Sequence, residues 1–306
     1  MEGVIRELMA DEAVTDVLVN GDGSVWVDRG RYLERVGVTL PDGPSVRRLA
    51  VRLAAVAGRR LDDAMPYADG QLQGGVRLHA VLAPIATDGA HISLRVARRT
   101  AWTLDELRDR GSVTSHQART LRDLVRHRRS VLVSGGTGTG KTTLLAALLA
   151  QIRAEERVVV VEDVSEILVA HPHVVRLQAR HRNIEGTGEV TMTDLVRQAM
   201  RMRPDRLVVG EVRGGEVIDL FRAFNTGHEG GFATIHANSA HDVMTRLEAL
   251  GSLAGLPGSA VRNQARAAID AVVHLERVDG VRRVGEIVPW SPTPERQASA
   301  VEGVSS

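Results

Sequence analysis

The sequence predicts an α/β chain in two parts. A small α+β N-terminal domain covers residues 1–100. After a linker at 101–114, a larger domain over 115–290 is built on a mostly parallel sheet. Three observations predict this. Alternating apolar runs fill the first hundred positions, and nearly all-apolar runs of strand length alternate with helical runs after Ser115. A glycine-rich loop joins one of those later runs to a helix.

Each element follows from local pattern. "VTDVLVNGDGSVWVDRGRYLERV" (Val14–Val36) reads as short strands broken at the turn signals "NGDG" and "DRGR". "PSVRRLAVRLAAVAGRRL" (Pro44–Leu61) sets Val46, Leu49, Leu53 and Val56 at helical spacing, with arginines on the other face. "GGVRLHAVLAP" and "AHISLRVA" read as a strand pair. "RRTAWTLDELRDRGSVT" (Arg99–Thr114) reads as the linker, with one short helix. Beyond it, "SVLVSG", "RVVVVED", "DRLVVGE" and "GGFATIHAN" are strands. "KTTLLAALLAQI", "TMTDLVRQAMRM", "GEVIDLFRAFN" and "AHDVMTRLEALGSLAG" are helices. The polar stretch 291–306 is expected to be a disordered tail.

Composition narrows the function. Hydrophobic residues make up 43%, enough for a real core, but aromatics only 3%, so aliphatic side chains must fill it. A net charge of +1 gives no global pull toward nucleic acid, and none is expected as a partner. The absence of cysteine excludes disulfides and cysteine-bound zinc and fits a reducing cytosol. The N-terminus does not read as a signal peptide. No run approaches the roughly 20 apolar residues needed to span a bilayer, so any membrane contact is expected to be peripheral.

"GGTGTGKT" (Gly135–Thr142) matches G-x-x-x-x-G-K-[ST] in full, after a strand and before a helix. It also holds the only lysine among 39 basic residues. A compact ammonium on a slim stem enters a tight backbone nest where a planar guanidinium would not. A nucleoside triphosphate and Mg²⁺ are therefore the expected ligands. Gly136, Thr137, Gly138, Thr139, Gly140, Lys141, Thr142 and Thr143 form the cradle. Lys141 reaches the β- and γ-phosphates, and Thr142 holds the metal.

Two later strands end in acids. "RVVVVEDVSEI" ends in Glu162 and Asp163, and "DRLVVGEVRGGE" in Gly210 and Glu211. The second strand has glutamate where aspartate is usual, and its glycine is expected to make room for the longer side chain. One acid, Glu211 or Asp163, can then orient Mg²⁺. Another, Glu211 or Glu162, can accept the proton of the attacking water. Asp163 has a second reading, as a cap of the following helix. "NTGHEGGFATIHANSA" (Asn225–Ala240) places Thr234, His236 and Asn238 on one strand face. His236 is there either a γ-phosphate sensor or a satisfied structural histidine. His228 and His236 lack a third partner for a metal site.

Together these segments resemble the secretion traffic ATPases, the hexameric motors of type II and type IV secretion and of type IV pili. That family carries a P-loop, an acidic Asp box, a Walker B segment ending Gly-Glu-x-Arg and a His box. Here they read "GGTGTGKT", "VEDVSEI", "VVGEVRGGE" and "GHEGGFATIHAN", in the family's order. The stretch Arg182–Gly214, "VTDVLVNGDGSVWVDRG" and "GGVRLHAVLAP" are similar to the tight-adherence (Flp pilus) and conjugal-transfer branch. Val164 departs from the proline usual in the Asp box, and the lack of cysteine sets aside the general-secretion branch with its zinc site. The resemblance implies that the nucleotide is ATP. It implies a RecA-like P-loop ATPase domain and a homo-oligomer, expected to be a hexamer, at the cytoplasmic inner face of a bacterial membrane. It also implies an inner-membrane platform protein as partner, and N-terminal arginines that reach the nucleotide, matched here by Arg77 and Arg95. Arg203 and Arg213 flank the Walker B strand and read equally as salt-bridged structure. The rival readings are a RecA-like nucleic-acid motor, a non-hydrolysing nucleotide switch and a small-molecule kinase.

Overall fold

The computed structural model describes the chain except residues 1, 12, 30–31, 97–100, 181–187, 228, 279 and 291–306. The segment read as a disordered tail thus lies outside the described residues. The chain forms two compact units, Met1–Thr100 and Ala101–Ser306.

In the first unit, α1 (Glu2–Ala10) precedes β1 (Asp16–Val19), β2 (Ser24–Asp28) and β3 (Leu33–Thr39). Then come α2 (Gly43–Val56), β4 (Tyr67–Gln71), β5 (Arg77–Val81) and β6 (His91–Arg95). The strands pair antiparallel in the order β3-β2-β1-β6-β5-β4. Alternation assigns the faces: Val17, Val19, Leu78, Ala80, Ile92 and Leu94 are buried, and the residues between them are not. Val46, Leu49, Ala50 and Ala54 of α2 share their core. The Asp42 side chain caps α2 by accepting from Ser45 N–H at 2.8 Å. The helix ends earlier than its periodicity suggests. Gly58 turns left-handed (φ +67°), and Val56, expected on the apolar face, is 70% exposed.

The second unit runs α3 (Leu104–Asp109), α4 (Ser115–Arg126), β7 (Val131–Gly135), α5 (Lys141–Leu149), β8 (Val158–Glu162) and β9 (Val174–Gln178). It continues with α6 (Met192–Met200), β10 (Arg206–Val212), α7 (Glu216–Asn225), β11 (Phe232–Ile235), α8 (Asp242–Leu253) and α9 (Gly258–Ala268). The hairpin strands β12 (Ala271–Val278) and β13 (Val281–Pro289) close it. The sheet order is β13-β12-β7-β11-β10-β8-β9, parallel throughout except for the β12–β13 pair. Strands β7, β8 and β11 are buried along their whole length, because helices cover both faces. Val159 and Val161 of β8 join the core that holds residues of α6 to α9. Val158 and Val160 join the core that holds residues of α3 to α5.

Three expectations need correction. The segment 101–114 is not a linker: Leu104, Leu107 and Val113 are buried in the core with α4 and α5. Their apolar side chains gain more from that core than from water. The strand predicted through Asn238 stops at Ile235. Finally, α1, β4, α4, β9, α9 and the β12–β13 hairpin have no counterpart in the sequence reading, which must be extended by them.

A buried charge cluster sits where β8, β10 and β11 begin. Arg206 Nε donates to Glu156 Oε2 at 2.8 Å. Its Nη1 donates to the Gly230 carbonyl at 3.0 Å, and its Nη2 to the Val125 carbonyl at 2.9 Å. Arg206 and Glu156 are 1% and 4% exposed. Burial pushes the Glu156 carboxyl up, but the hydrogen bonds and charge of Arg206, joined by Arg128 and Arg153, outweigh it and hold it at about 2. Because the folded value is depressed, the stabilisation is complete above the unfolded carboxylate pKa of ~4.3 and fades as pH falls toward about 2. Arg206→Met is expected to cost about 3 kcal/mol in urea unfolding at neutral pH, since it leaves a buried carboxylate short of its main partner. The same measurement repeated into acid should show that cost shrinking as Glu156 takes up a proton.

Candidate functional site

The P-loop starts where β7 ends. Gly135 has φ +150°, and a Cβ there would meet the Leu275 carbonyl oxygen at 2.5 Å, so the turn needs glycine. Gly138 and Gly140 are also left-handed, at φ +72° and +98°. Gly140 is the N-cap of α5, which opens on Lys141, Thr142 and Thr143. Gly136, Thr137 and Gly138 form the accessible rim, while Thr139 is buried and its hydroxyl donates to the Gly136 carbonyl at 2.9 Å. The Lys141 ammonium donates to the Gly135 and Gly136 carbonyls at 2.9 and 2.8 Å. Burial lowers its pKa, against the opposing charge of Glu211.

Glu162 ends β8 and is 3% exposed. Its Oε1 accepts from the backbone N–H groups of Glu166 and Ile167, both at 2.9 Å. Its buried Oε2 has no hydrogen-bond partner among the described residues. Burial raises the carboxyl's pKa and outweighs the two amides. A Cβ on Gly210 would lie 2.8 Å from Glu162 Cγ. The glycine before Glu211 therefore makes room for Glu162 of the neighbouring strand, not for Glu211 itself as the sequence reading supposed.

Glu211 lies between a histidine and an arginine. Its Oε1 is 2.9 Å from His236 Nε2, and Arg213 Nη2 donates to its Oε2. Arg213 Nη1 also lies 3.8 Å from Asp163. The hydrogen bond that Arg213 donates to Glu211 is the main cause that raises the Arg213 pKa. Glu216 shapes the turn behind this pair by accepting from the N–H groups of Arg213 and Gly214 at 2.6 and 2.8 Å. His236 sits just past β11, and its Nε2 is also 3.4 Å from Lys141 Nζ. Burial and then the Lys141 charge lower its pKa, while Glu211 raises it.

Lys141, His236, Glu211, Arg213 and Asp163 thus form one continuous polar chain. Thr234 does not join it: its hydroxyl donates to the Gly210 carbonyl at 2.6 Å and ties β11 to β10. Asn238 is exposed. His228 lies outside the described residues. Arg203, with φ +54°, occupies the turn before β10. Arg77 and Arg95 belong to the first unit, directly opposite each other on β5 and β6, and Arg95 Nε donates to Asp16 at 3.2 Å. Sequence reasoning missed Glu216, and it read Arg213 as salt-bridged structure without naming Glu211 as the partner. The acid three residues after Arg213 was the available signal for the first.

No group of three His, Cys, Asp or Glu side chains among the described residues is arranged to hold a metal ion. Mg²⁺ keeps several waters and takes one or two protein oxygens plus phosphate. The Thr142 hydroxyl and the Glu211 carboxylate are the right donor types for it.

Comparison with known proteins gives a consistent picture. A family model described as "Type II/IV secretion system protein" matches residues 1–282. A Mycobacterium tuberculosis protein named for conjugal transfer is 52% identical over 292 residues, covering 93% of this chain and 83% of that protein. The conjugal transfer protein TrbB of Rhizobium radiobacter is 34% identical over 283 residues, covering 91% and 84%. Among solved structures, the VirB11 ATPase of the Brucella suis type IV secretion system shares 26% identity at a TM-score of 0.50, covering 97% of this chain and 95% of that one. The pilus retraction motor PilT aligns at a TM-score of 0.66 and 21% identity, covering 98% and 85%, which bears on the fold alone.

The charge chain makes a spectroscopic prediction. Without added metal or nucleotide, Lys141→Met should raise the His236 pKa by removing a neighbouring cation, and Glu211→Gln should lower it. Histidine NMR titration reads both shifts, and a His236 signal indifferent to both changes would contradict the contacts described.

Proposed function

The chain belongs to the type II/IV secretion system protein family, and from that premise we propose that it is an ATP-hydrolysing motor subunit. It powers pilus assembly or type II/IV-like secretion at the inner face of a bacterial membrane. The observation that carries this reading is the polar chain from Lys141 through His236 and Glu211 to Arg213 and Asp163. It draws the P-loop, the His segment and both acidic strand ends into one site.

In this reading the P-loop amides and Lys141 hold the triphosphate. Thr142 and Glu211, with Asp163 beside them, hold Mg²⁺. When bound, the metal neutralises charge on the phosphate oxygens. Glu162 offers a buried oxygen with no other partner, and its raised pKa suits it to take a proton from water. Glu211, whose buried Oε1 likewise has no hydrogen-bond partner among the described residues, is the alternative base. His236, near both Lys141 and Glu211, senses whether the phosphate end of the site is filled. Arg77 and Arg95 are proposed, on the family resemblance, to grip phosphate oxygens as charge builds.

Loss of the terminal phosphate removes contacts of Lys141 and His236, and each turnover becomes a rigid-body shift. A homo-oligomer, proposed as a hexamer, passes that shift to a membrane platform protein. Among the described residues no helix is long and apolar enough to cross a membrane.

Lys141→Ala is expected to lower ATP turnover by at least about 100-fold, as loss of a central charge-stabilising donor does. Normal hydrolysis by that variant would defeat the site assignment. The assay run with and without DNA, beside a particle-mass measurement, tests the rest. Unchanged turnover with DNA and the mass of a six-membered ring are the expected results. DNA stimulation would favour a nucleic-acid motor, and tight binding without turnover a nucleotide switch.

A further inference from the structure

The two poles of the parallel sheet carry different chemistry. One holds the P-loop. The other, where β7, β8 and β10 begin, collects the arginine-rich segments "VRHRRS", "RAEER" and "RMRPDR". Within the second unit a cavity of about 680 Å³ opens at this pole. That volume falls in the ~300–1,000 Å³ range of ligand pockets. The end of α4, the segment after α5 and the start of β10 wall it. Val125 and Ile152 line it and are only 2% and 5% exposed, so its depth is apolar.

Charge sets the sign of the ligand. Arg122, Arg126, Arg128, Arg153 and Arg206 line the cavity, against two acids, Asp123 and Glu156. The C-termini of α4 and α5 add only about half a negative charge each, so the lining stays positive. Existing partners decide which arginines are available. Arg206 is committed to Glu156, Gly230 and Val125, and Arg122 pairs with Asp105 at 2.8 Å. Arg128 and Arg153 share the same Glu156, Arg128 through Nη2 at 2.7 Å and Arg153 through Nε at 3.2 Å. Arg128 Nη2 also lies 4.0 Å from Asp205. One buried carboxylate thus serves three arginines. The Arg128 and Arg153 side chains are 42% and 74% exposed, and among the described residues their other guanidinium nitrogens donate to nothing. Arg126, exposed on the last turn of α4, has no ion pair among the described residues.

Shape separates the candidate anions. An anionic membrane offers a flat array of headgroups, which does not fill a recess. A free phosphate has no part that an apolar depth would hold. A peptide carries carboxylates and an apolar side chain together, and planar guanidinium forks match carboxylates well. We propose that this cavity docks an acidic peptide segment of a partner protein. Arg126, Arg128 and Arg153 take its carboxylates, and the recess at Val125 and Ile152 takes an apolar side chain. The site lies at the pole opposite the P-loop and does not depend on what the P-loop binds.

Fluorescence anisotropy with a fluorescein-labelled peptide of glutamates flanking one leucine tests it. The wild-type chain should bind saturably, and more weakly as salt rises. Arg126→Glu combined with Arg153→Glu should weaken binding at least about tenfold, because it sets like charge against the carboxylates. Both side chains are exposed, so this double variant should unfold in urea close to the wild-type midpoint. Serine in place of the peptide's leucine should weaken binding severalfold. Arg262→Glu combined with Arg266→Glu changes net charge equally on α9, outside the cavity, and should bind as wild type does. Lys141→Ala should also bind the peptide undiminished, which separates this site from the P-loop. Absence of saturable binding, equal weakening in the α9 variant, or loss of binding in Lys141→Ala overturns the proposal. Capture on phosphatidylserine vesicles, lost in the Arg126 and Arg153 double variant while the peptide fails to bind, would instead make this pole a membrane face.

Discussion

Parallel strand direction is the constraint on which the site depends. β7, β11, β10 and β8 are adjacent and run the same way, so their C-terminal ends meet at one edge of the sheet. Gly135, His236, Glu211 and Glu162 each end one of these strands or follow it closely. Segments as far apart in sequence as Lys141 and His236 thus come within 3.4 Å. An antiparallel arrangement would send alternate strand ends to opposite poles and disperse the same residues.

Charge order follows from that crowding. Along the polar chain a lysine and a histidine meet a glutamate, then an arginine, then an aspartate. Each carboxylate has a cation beside it, and Lys141 and Arg213 each have an acid within reach. Three groups carry the cost of burial: Lys141 and His236 have their pKa lowered, and Glu162 has its pKa raised. A triphosphate with Mg²⁺ would bring both signs of charge into this chain. Lys141 would exchange backbone carbonyls for phosphate oxygens, and Glu211 would exchange a guanidinium for the metal and its waters. The cationic and anionic partners needed for either exchange already lie in place, so little solvent reorganisation is required.

The parts of this fold legible in the sequence are those set by local pattern. The apolar runs of β7, β8 and β10 and the glycine spacing of the P-loop needed no tertiary information. The misreadings share a cause, which is that a neighbour decided the outcome. Gly210 looked like space for the next residue, but the space is filled by Glu162 from the adjacent strand. His236 looked like strand because of alternation, but the β11 ladder ends at Ile235. Leu104 and Leu107 lie between arginines and acids and read as linker, until α4 and α5 supply a core for them. In β13 charged residues interrupt the apolar ones, as suits an edge strand, and its signal was correspondingly weak.

The opposite edge of the sheet fixes the geometry of the first. Arg206 binds Glu156 just before β8, the Gly230 carbonyl just before β11 and the Val125 carbonyl of α4, while its own backbone starts β10. One buried side chain therefore joins the roots of three adjacent strands and a helix. A strand displaced by a single residue would turn its apolar side chains to the wrong core and break these bonds at the same time. A positive φ of +76° at Gly230, where a Cβ would strike Arg206 Nη1, leaves room for the guanidinium only if that residue is glycine. With the roots set, the lengths of β8, β10 and β11 determine where Glu162, Glu211 and His236 emerge. The stagger of acids around the P-loop is thus fixed by a charge cluster at the far end of the strands. Buried arginine at the start of β10 is best understood as a device for strand alignment, with its net stabilisation secondary to that role.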